Sequence, residues 1–258
     1  MLDSNKLSYT AYNDYRKESL KNFEEGSSGP LLLGTNKETG QKYLVKHTYP
    51  HNAANEFVCC TLANKIGVAA PRAYLLSPNK AFSSKYAVAI EYLDDLKVVN
   101  KEKLTPQKKE DLCRACAFQS AFAQSDKISF SEWADRIVTY DFSETFTMDG
   151  MSFLLNLLKT MPEAAQEFLG RYLHAFKERM AKEFDFATFL EAEFDIEPDT
   201  TLDIINDIKK RLSGITDSDI DEICNELDLM YPPEISLYYE FAIQAVRDYW
   251  QDIVETKP

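Results

Sequence analysis

Lys46 closes the run Tyr43-Leu44-Val45-Lys46, a β-prone stretch, and a glycine-bearing turn, Gly26-Ser27-Ser28-Gly29, lies upstream of it. Such a turn can present backbone N–H groups to phosphate oxygens, and an ammonium on a strand adds a point charge to the same ligand. Taken alone, Lys46 reads first as a solvated lysine at a strand end. Glu56, in Asn55-Glu56-Phe57, stands near the start of a helical stretch, from where it could pair with Lys46 and aim it. A glutamate that simply complements a helix dipole, at about 0.3–1 kcal/mol, explains the same residue as well. The run Ala87-Val88-Ala89-Ile90-Glu91-Tyr92-Leu93-Asp94-Asp95 is an apolar strand entering an acidic turn. Backbone groups at such a strand end can meet an adenine edge, and a buried central strand followed by a loop is compatible with that. Asp126 and Asp141, the latter in Tyr140-Asp141-Phe142-Ser143, stand at the two ends of an extended insertion. If the insertion is a hairpin, both carboxylates can face one cleft, one accepting a hydroxyl proton and the other holding a divalent metal. Two ordinary turn aspartates are the plainer alternative.

Other reactive residues point to no chemistry. Cys113 and Cys116 sit three apart on an expected helix, with no second pair and no histidine cluster, so buried thiols are expected rather than zinc. Cys59 and Cys60 read as core. His47, His51 and His174 lack a Ser or Cys partner pattern.

Stepping outward, the positioning elements change character near residue 100. Before it, short β-branched and aromatic blocks are cut by Gly and Pro; after it a 3.6-residue period dominates. Strands are expected over 31–34, 41–47, 72–76 and 86–92, with a hairpin turn at Lys37-Glu38-Thr39-Gly40 and a helix over 55–66 that Gly67 ends. Beyond these, Thr105 caps a helix that begins at Pro106 and runs to about residue 125. Further helices are expected near 151–161, 163–183, 202–213, 218–229 and 233–254. The fold class is therefore α+β, a small antiparallel sheet with one helix (1–96) and a mostly helical remainder (97–258).

Composition narrows the class of function. The 258 residues carry 29 Lys+Arg against 42 Asp+Glu, a net charge of −13, which repels nucleic acid and anionic bilayers. An anionic ligand would need a local cation or backbone N–H groups. No uncharged apolar run reaches about 18 residues, so no transmembrane helix is expected. The N-terminal residues have no apolar core of the secretory kind, and five cysteines are too few and odd in number for a disulfide scaffold. A cytoplasmic, thiol-reducing setting is the expectation.

The order of these pieces resembles the two-lobed protein-kinase-like fold, and within it the HipA-like branch of serine/threonine kinases. Lys42-Tyr43-Leu44-Val45-Lys46 followed by Asn55-Glu56-Phe57, then Leu62-Ala63-Asn64-Lys65-Ile66-Gly67-Val68 and Pro71, is similar to that branch's strand lysine and following helix. Phe118 lies eight residues before Asp126, and Tyr140-Asp141 resembles the branch's metal-binding pair. The resemblance covers residues 20–147. It implies an ATP- and Mg²⁺-dependent phosphotransferase acting on a Ser/Thr hydroxyl, with a protein substrate or regulatory partner. Gly26, Ser27, Ser28 and Gly29 would cover the phosphates, Lys46 would contact them, and Glu56 would orient Lys46. Backbone groups of Glu91, Tyr92 and Leu93 would take the adenine, Asp126 would be the catalytic base, and Asp141 would hold Mg²⁺. The sequence departs from the branch at Gln124 and Ser131, where Asn is usual, and at Ile128, where His is usual. Ser131 stands where the second metal ligand would be, and a hydroxyl binds Mg²⁺ less well than an amide carbonyl. A pseudokinase that binds nucleotide or a partner, and a kinase-like enzyme for a small-molecule or lipid hydroxyl, are the alternatives.

Overall fold

The computed structural model describes residues 1–11, 31–80, 82, 85–122, 129–143, 145–146, 156–157, 160–161 and 187–255. The chain is α+β, with a small sheet-rich half and a helical half. Five antiparallel strands, β1 (Leu7–Ala11), β2 (Leu31–Asn36), β3 (Lys42–His47), β4 (Ala73–Leu75) and β5 (Ala87–Glu91), form one sheet in the order β1-β2-β3-β5-β4. The hairpin expected at Lys37 to Gly40 joins β2 to β3, with Gly40 at φ 73, a left-handed conformation that favours glycine.

Side-chain alternation sorts each strand onto two faces. Tyr43 and Val45 of β3 join Ala87 and Ala89 of β5 and Leu7 of β1 in a cluster on one side of the sheet. Val88 and Ile90 point the other way into the main core, and Leu44 packs against that core. Lys46 shares the face of Leu44 and pairs with Val88, so strand parity alone aims it at whatever covers that side.

What covers it is helix α1 (Pro50–Lys65). The helix begins five residues before the expected start at Asn55, because Pro50 sits at its first turn, where a missing N–H costs nothing. That places Glu56 in the second turn rather than the first, and the dipole explanation for this residue falls away. The C-terminus behaves as expected: Gly67 has φ 78, the Val68 amide donates to the Ala63 carbonyl at 2.8 Å, and the Gly67 amide donates to Asn64 at 3.3 Å.

In the helical half, α2 (Pro106–Ala121) is capped by Thr105, whose hydroxyl accepts from the Lys108 amide. A hairpin of β6 (Phe130–Trp133) and β7 (Arg136–Thr139) follows, as the interrupted helical pattern predicts. Asp111 of α2, buried at 1% side-chain exposure, ties this hairpin down: it accepts from Arg136 Nε and Nη2 at 2.6 and 2.8 Å and from the Ile137 amide at 3.1 Å. The last four helices are α3 (Ala187–Phe194), α4 (Pro198–Ser213), α5 (Asp217–Asp228) and α6 (Pro233–Glu255). Only α3 was not anticipated; eight residues give too few turns to establish a period. Gly214 ends α4 at φ −90, so its left-handed freedom is not used. The helices expected near 151–161 and 163–183 lie wholly or mostly outside the described residues. Tyr238, Tyr239 and Trp250 of α6 are core as expected, and Phe241 and Tyr249 pack at its margin. Cys59, Cys60, Cys113 and Cys116 are buried free thiols. Among the described residues no helix is long and apolar enough to cross a membrane.

Polar ties fasten α1 to the helical half. Arg211 Nη1 of α4 donates to the Ile66 carbonyl at 3.1 Å, and Lys65 Nζ reaches Asp219 at 2.9 Å and Glu222 at 2.7 Å on α5. Asp219 also closes a capping box with Thr216. Its bonds from the Thr216 hydroxyl and amide, and then the Lys65 ammonium, hold its carboxyl down at about 2. A carboxyl depressed in the folded state stabilises above its ordinary value of 3.8 and loses that contribution as pH falls toward 2. Asp219→Asn should therefore cost about 1 kcal/mol at pH 7, with the gap from wild type narrowing between pH 4 and 3. Urea melts at the three pH values check this; a gap that stays constant rules out the assigned cause.

Candidate active site between the sheet and the helices

Lys46 Nζ lies against two carboxylates at once. It is hydrogen-bonded to Glu56 Oε1 and donates to Asp141 Oδ1 at 2.7 Å. Side-chain exposure falls steeply through the trio, from 42% at Asp141 to 11% at Lys46 and 1% at Glu56. Glu56 thus sits behind the lysine, and Asp141 sits in front of it with one flank open to solvent. The second Glu56 oxygen accepts the Phe142 amide at 3.1 Å, so this buried carboxylate links strand, helix and the segment after the hairpin.

The electrostatics follow the geometry. Burial pulls the Lys46 ammonium down, but the Glu56 and Asp141 carboxylates outweigh it, and the group is held above its usual range. Burial pushes the Glu56 carboxyl up, and Lys46 opposes the shift without cancelling it. At Asp141 burial also pushes up, yet Lys46 prevails and the carboxyl lies below its ordinary value. Asp141 is therefore ionised throughout the neutral range. Its backbone is left-handed at φ 64, a conformation that aspartate and asparagine tolerate better than most residues.

Neighbouring groups fix the segment that follows. Asn55 Nδ2 donates to the Ser143 carbonyl at 2.8 Å, and Asn55 Oδ1 accepts the Tyr239 hydroxyl, which also lies 3.2 Å from the His51 carbonyl. The Tyr238 hydroxyl donates to the Phe146 carbonyl at 2.7 Å. Phe142 and Phe146 are fully buried, against Phe118 of α2 and Phe122 just past its end.

The remaining residues singled out from sequence fall as follows. The Glu91 amide donates to the Arg72 carbonyl at 2.8 Å and the Tyr92 amide to the Lys42 carbonyl at 3.0 Å, so both are used by the sheet. The Leu93 amide is the next donor along that segment. Ser131 on β6 is buried at 4%, with its hydroxyl 2.6 Å from the Tyr140 hydroxyl, one residue from Asp141. Gly26, Ser27, Ser28, Gly29, Gln124, Asp126 and Ile128 lie outside the described residues. Asn55, Tyr238 and Tyr239 escaped the sequence reading as site residues; the adjacency of Asn55 to Glu56 was the available signal, while the tyrosines read simply as core.

Among solved structures, the chain is similar to that of the Helicobacter pylori proinflammatory kinase CtkA, with a TM-score of 0.59 over 100% of both chains and 12% sequence identity. The fold is kinase-like. No protein-family model matches the sequence, and no curated protein matches it either. At that identity the likeness speaks for the arrangement of the two halves, and the chemistry rests on the residues themselves.

A divalent cation fits this residue set in one way. Among the described residues no three His, Cys, Asp or Glu side chains gather as a metal cage. Mg²⁺ needs no such cage, since it is commonly held by one or two carboxylates with phosphate oxygens and water completing its shell. The ionised, partly exposed Asp141 offers the hard oxygen such an ion takes.

Proposed function

We propose that this chain is an ATP- and Mg²⁺-dependent phosphotransferase of HipA-like kinase type, acting on a Ser/Thr hydroxyl of a protein. The observation that carries the reading is the single ammonium of Lys46 held between a buried carboxylate and a partly exposed one. A lysine fixed from behind by Glu56 can turn its remaining valence to phosphate oxygens, which is the positioning and charge neutralisation that phosphoryl transfer demands. Residues 1–96 would carry the nucleotide and 97–258 the catalytic loop. Gly26 to Gly29 would cover the phosphates. The Leu93 amide and the carbonyls flanking it would take the adenine edge. Asp141 would hold the metal with the phosphates, and Ser131 is its candidate co-ligand. A bound Mg²⁺ supplies neutralisation of the β- and γ-phosphate charge. Asp126 would accept the proton of the substrate hydroxyl as its oxygen forms a bond to the γ-phosphorus and the bond to ADP breaks. The buried free thiols suit a reducing, cytoplasmic setting.

A pseudokinase is the second reading, and Ser131 favours it: its hydroxyl is buried and engaged with Tyr140, where the kinase branch usually has an asparagine amide. Incubation with γ-labelled ATP and Mg²⁺, wild type beside Asp126→Ala, separates the two. Label transferred to protein by wild type and not by the variant is the expected result. Thermal stabilisation by Mg²⁺–ATP with no transfer from either would replace the phosphotransferase by a nucleotide- or partner-binding module.

A further inference from the structure

We propose that Asn55 and Tyr239 are positioning residues for Asp141, so that the last helix of the chain sets the geometry of the metal-binding carboxylate. The inference rests on the reading of Asp141 given above. The segment from Asp141 to Phe146 begins and ends in left-handed backbone, φ 64 at Asp141 and φ 57 at Phe146. A bulky phenylalanine in that conformation is strained, and such a segment keeps its shape only where its surroundings overdetermine it.

Bonds from outside do so, beyond the Lys46 contact with Asp141 and the Phe146 amide's bond to the Phe122 carbonyl at 3.4 Å. Glu56 accepts the Phe142 amide at 3.1 Å, Asn55 donates to the Ser143 carbonyl at 2.8 Å, and Tyr238 donates to the Phe146 carbonyl at 2.7 Å. Asn55 can serve Ser143 only if its amide is turned the right way. The Tyr239 hydroxyl enforces that turn by occupying Oδ1, which leaves Nδ2 facing the carbonyl. Asn55 is completely buried and Tyr239 is 1% exposed, so water cannot substitute for either partner. Neighbouring tyrosines of α6 thus hold the segment at two points, one directly at Phe146 and one through Asn55 at Ser143. Tyr239 is buried with its hydroxyl directed at Asn55 and the His51 carbonyl, so its effect on the metal is exerted through Asn55.

Tyr239→Phe and Asn55→Ala, compared with wild type, test this with two readouts. In nucleotide-free protein, hydrogen–deuterium exchange across residues 140–146 should quicken in both variants while the β3 and β5 peptides stay unchanged. In ATP-binding titrations, the Mg²⁺ concentration for half-maximal binding should rise about tenfold or more, with metal-free ATP affinity unaltered. Faster exchange throughout the sheet, or none in the segment, overturns the proposal by making the pair ordinary core residues. Local quickening with an unchanged Mg²⁺ requirement overturns it too, since Asp141 would then not depend on the clamp. If the exchange result holds but wild type binds no Mg²⁺–ATP, the clamp on the segment stands and the phosphotransferase reading falls.

Discussion

Asp141→Asn is expected to lower phosphoryl transfer about a thousandfold, the equivalent of about 4 kcal/mol of lost charge stabilisation at the metal. The variant isolates charge from shape. Asparagine tolerates the left-handed backbone at φ 64 as aspartate does, so no strain is added. Lys46 keeps its partner in Glu56, so no buried ammonium is stranded. Thermal unfolding should accordingly stay close to wild type while transfer from labelled ATP collapses. Turnover equal to wild type would remove Asp141 from the chemistry, and a large drop in melting temperature would make its role structural.

Glu56→Ala should instead be felt in the fold, with a loss of about 3–5 kcal/mol. Glu56 is 1% exposed and serves both Lys46 and the Phe142 amide, so truncation leaves a nearly buried ammonium with Asp141 alone and orphans a buried N–H. Urea denaturation at constant m-value measures the loss, and a change under about 1 kcal/mol would show that the trio is not energetically coupled. Glu56→Gln should cost less, because the amide oxygen can still accept from Phe142. The pH dependence has a definite sign. A lysine whose value is raised on folding contributes fully below its ordinary 10.5 and loses the contribution only as pH climbs through the raised value. The Lys46 share of that cost should therefore be flat across neutral pH, while the Glu56 carboxyl, raised by burial, makes the total cost of Glu56→Ala shrink as pH climbs above its ordinary 4.5.

Two members of the trio, Lys46 and Glu56, were partly legible because local rules set their faces, while Asp141 entered through the order of the pieces. Alternation in a strand pins the side of Lys46 once the apolar residues Val45, Val88 and Ile90 choose their faces. Glu56 follows Asn55 in a helix that must cover that side. The start of α1 was not legible, since Pro50-His51-Asn52-Ala53-Ala54 offers no apolar period, yet all four residues after the proline are buried or half-buried by tertiary contacts. Strand β1 lies outside the strands expected from sequence, because its LSYTA sequence depends on pairing with β2 for its definition. The bond from Tyr239 to Asn55 spans 184 positions, and neither residue announces the other. Burial was readable from the aromatic stripe of α6; the single polar atom each ring directs inward was not.

Helix α1 is mortised into both halves. Its apolar side is part of the core that continues beneath the sheet, while Arg211 grips its terminal carbonyl, Lys65 is staked to two acids of α5, and Asn55 is latched to α6. A keystone of this kind cannot swing outward as a simple switch, because rotating it would unmake four anchorages together. Any on–off control of the Lys46–Glu56 pair by moving this helix would have to dismantle the arch.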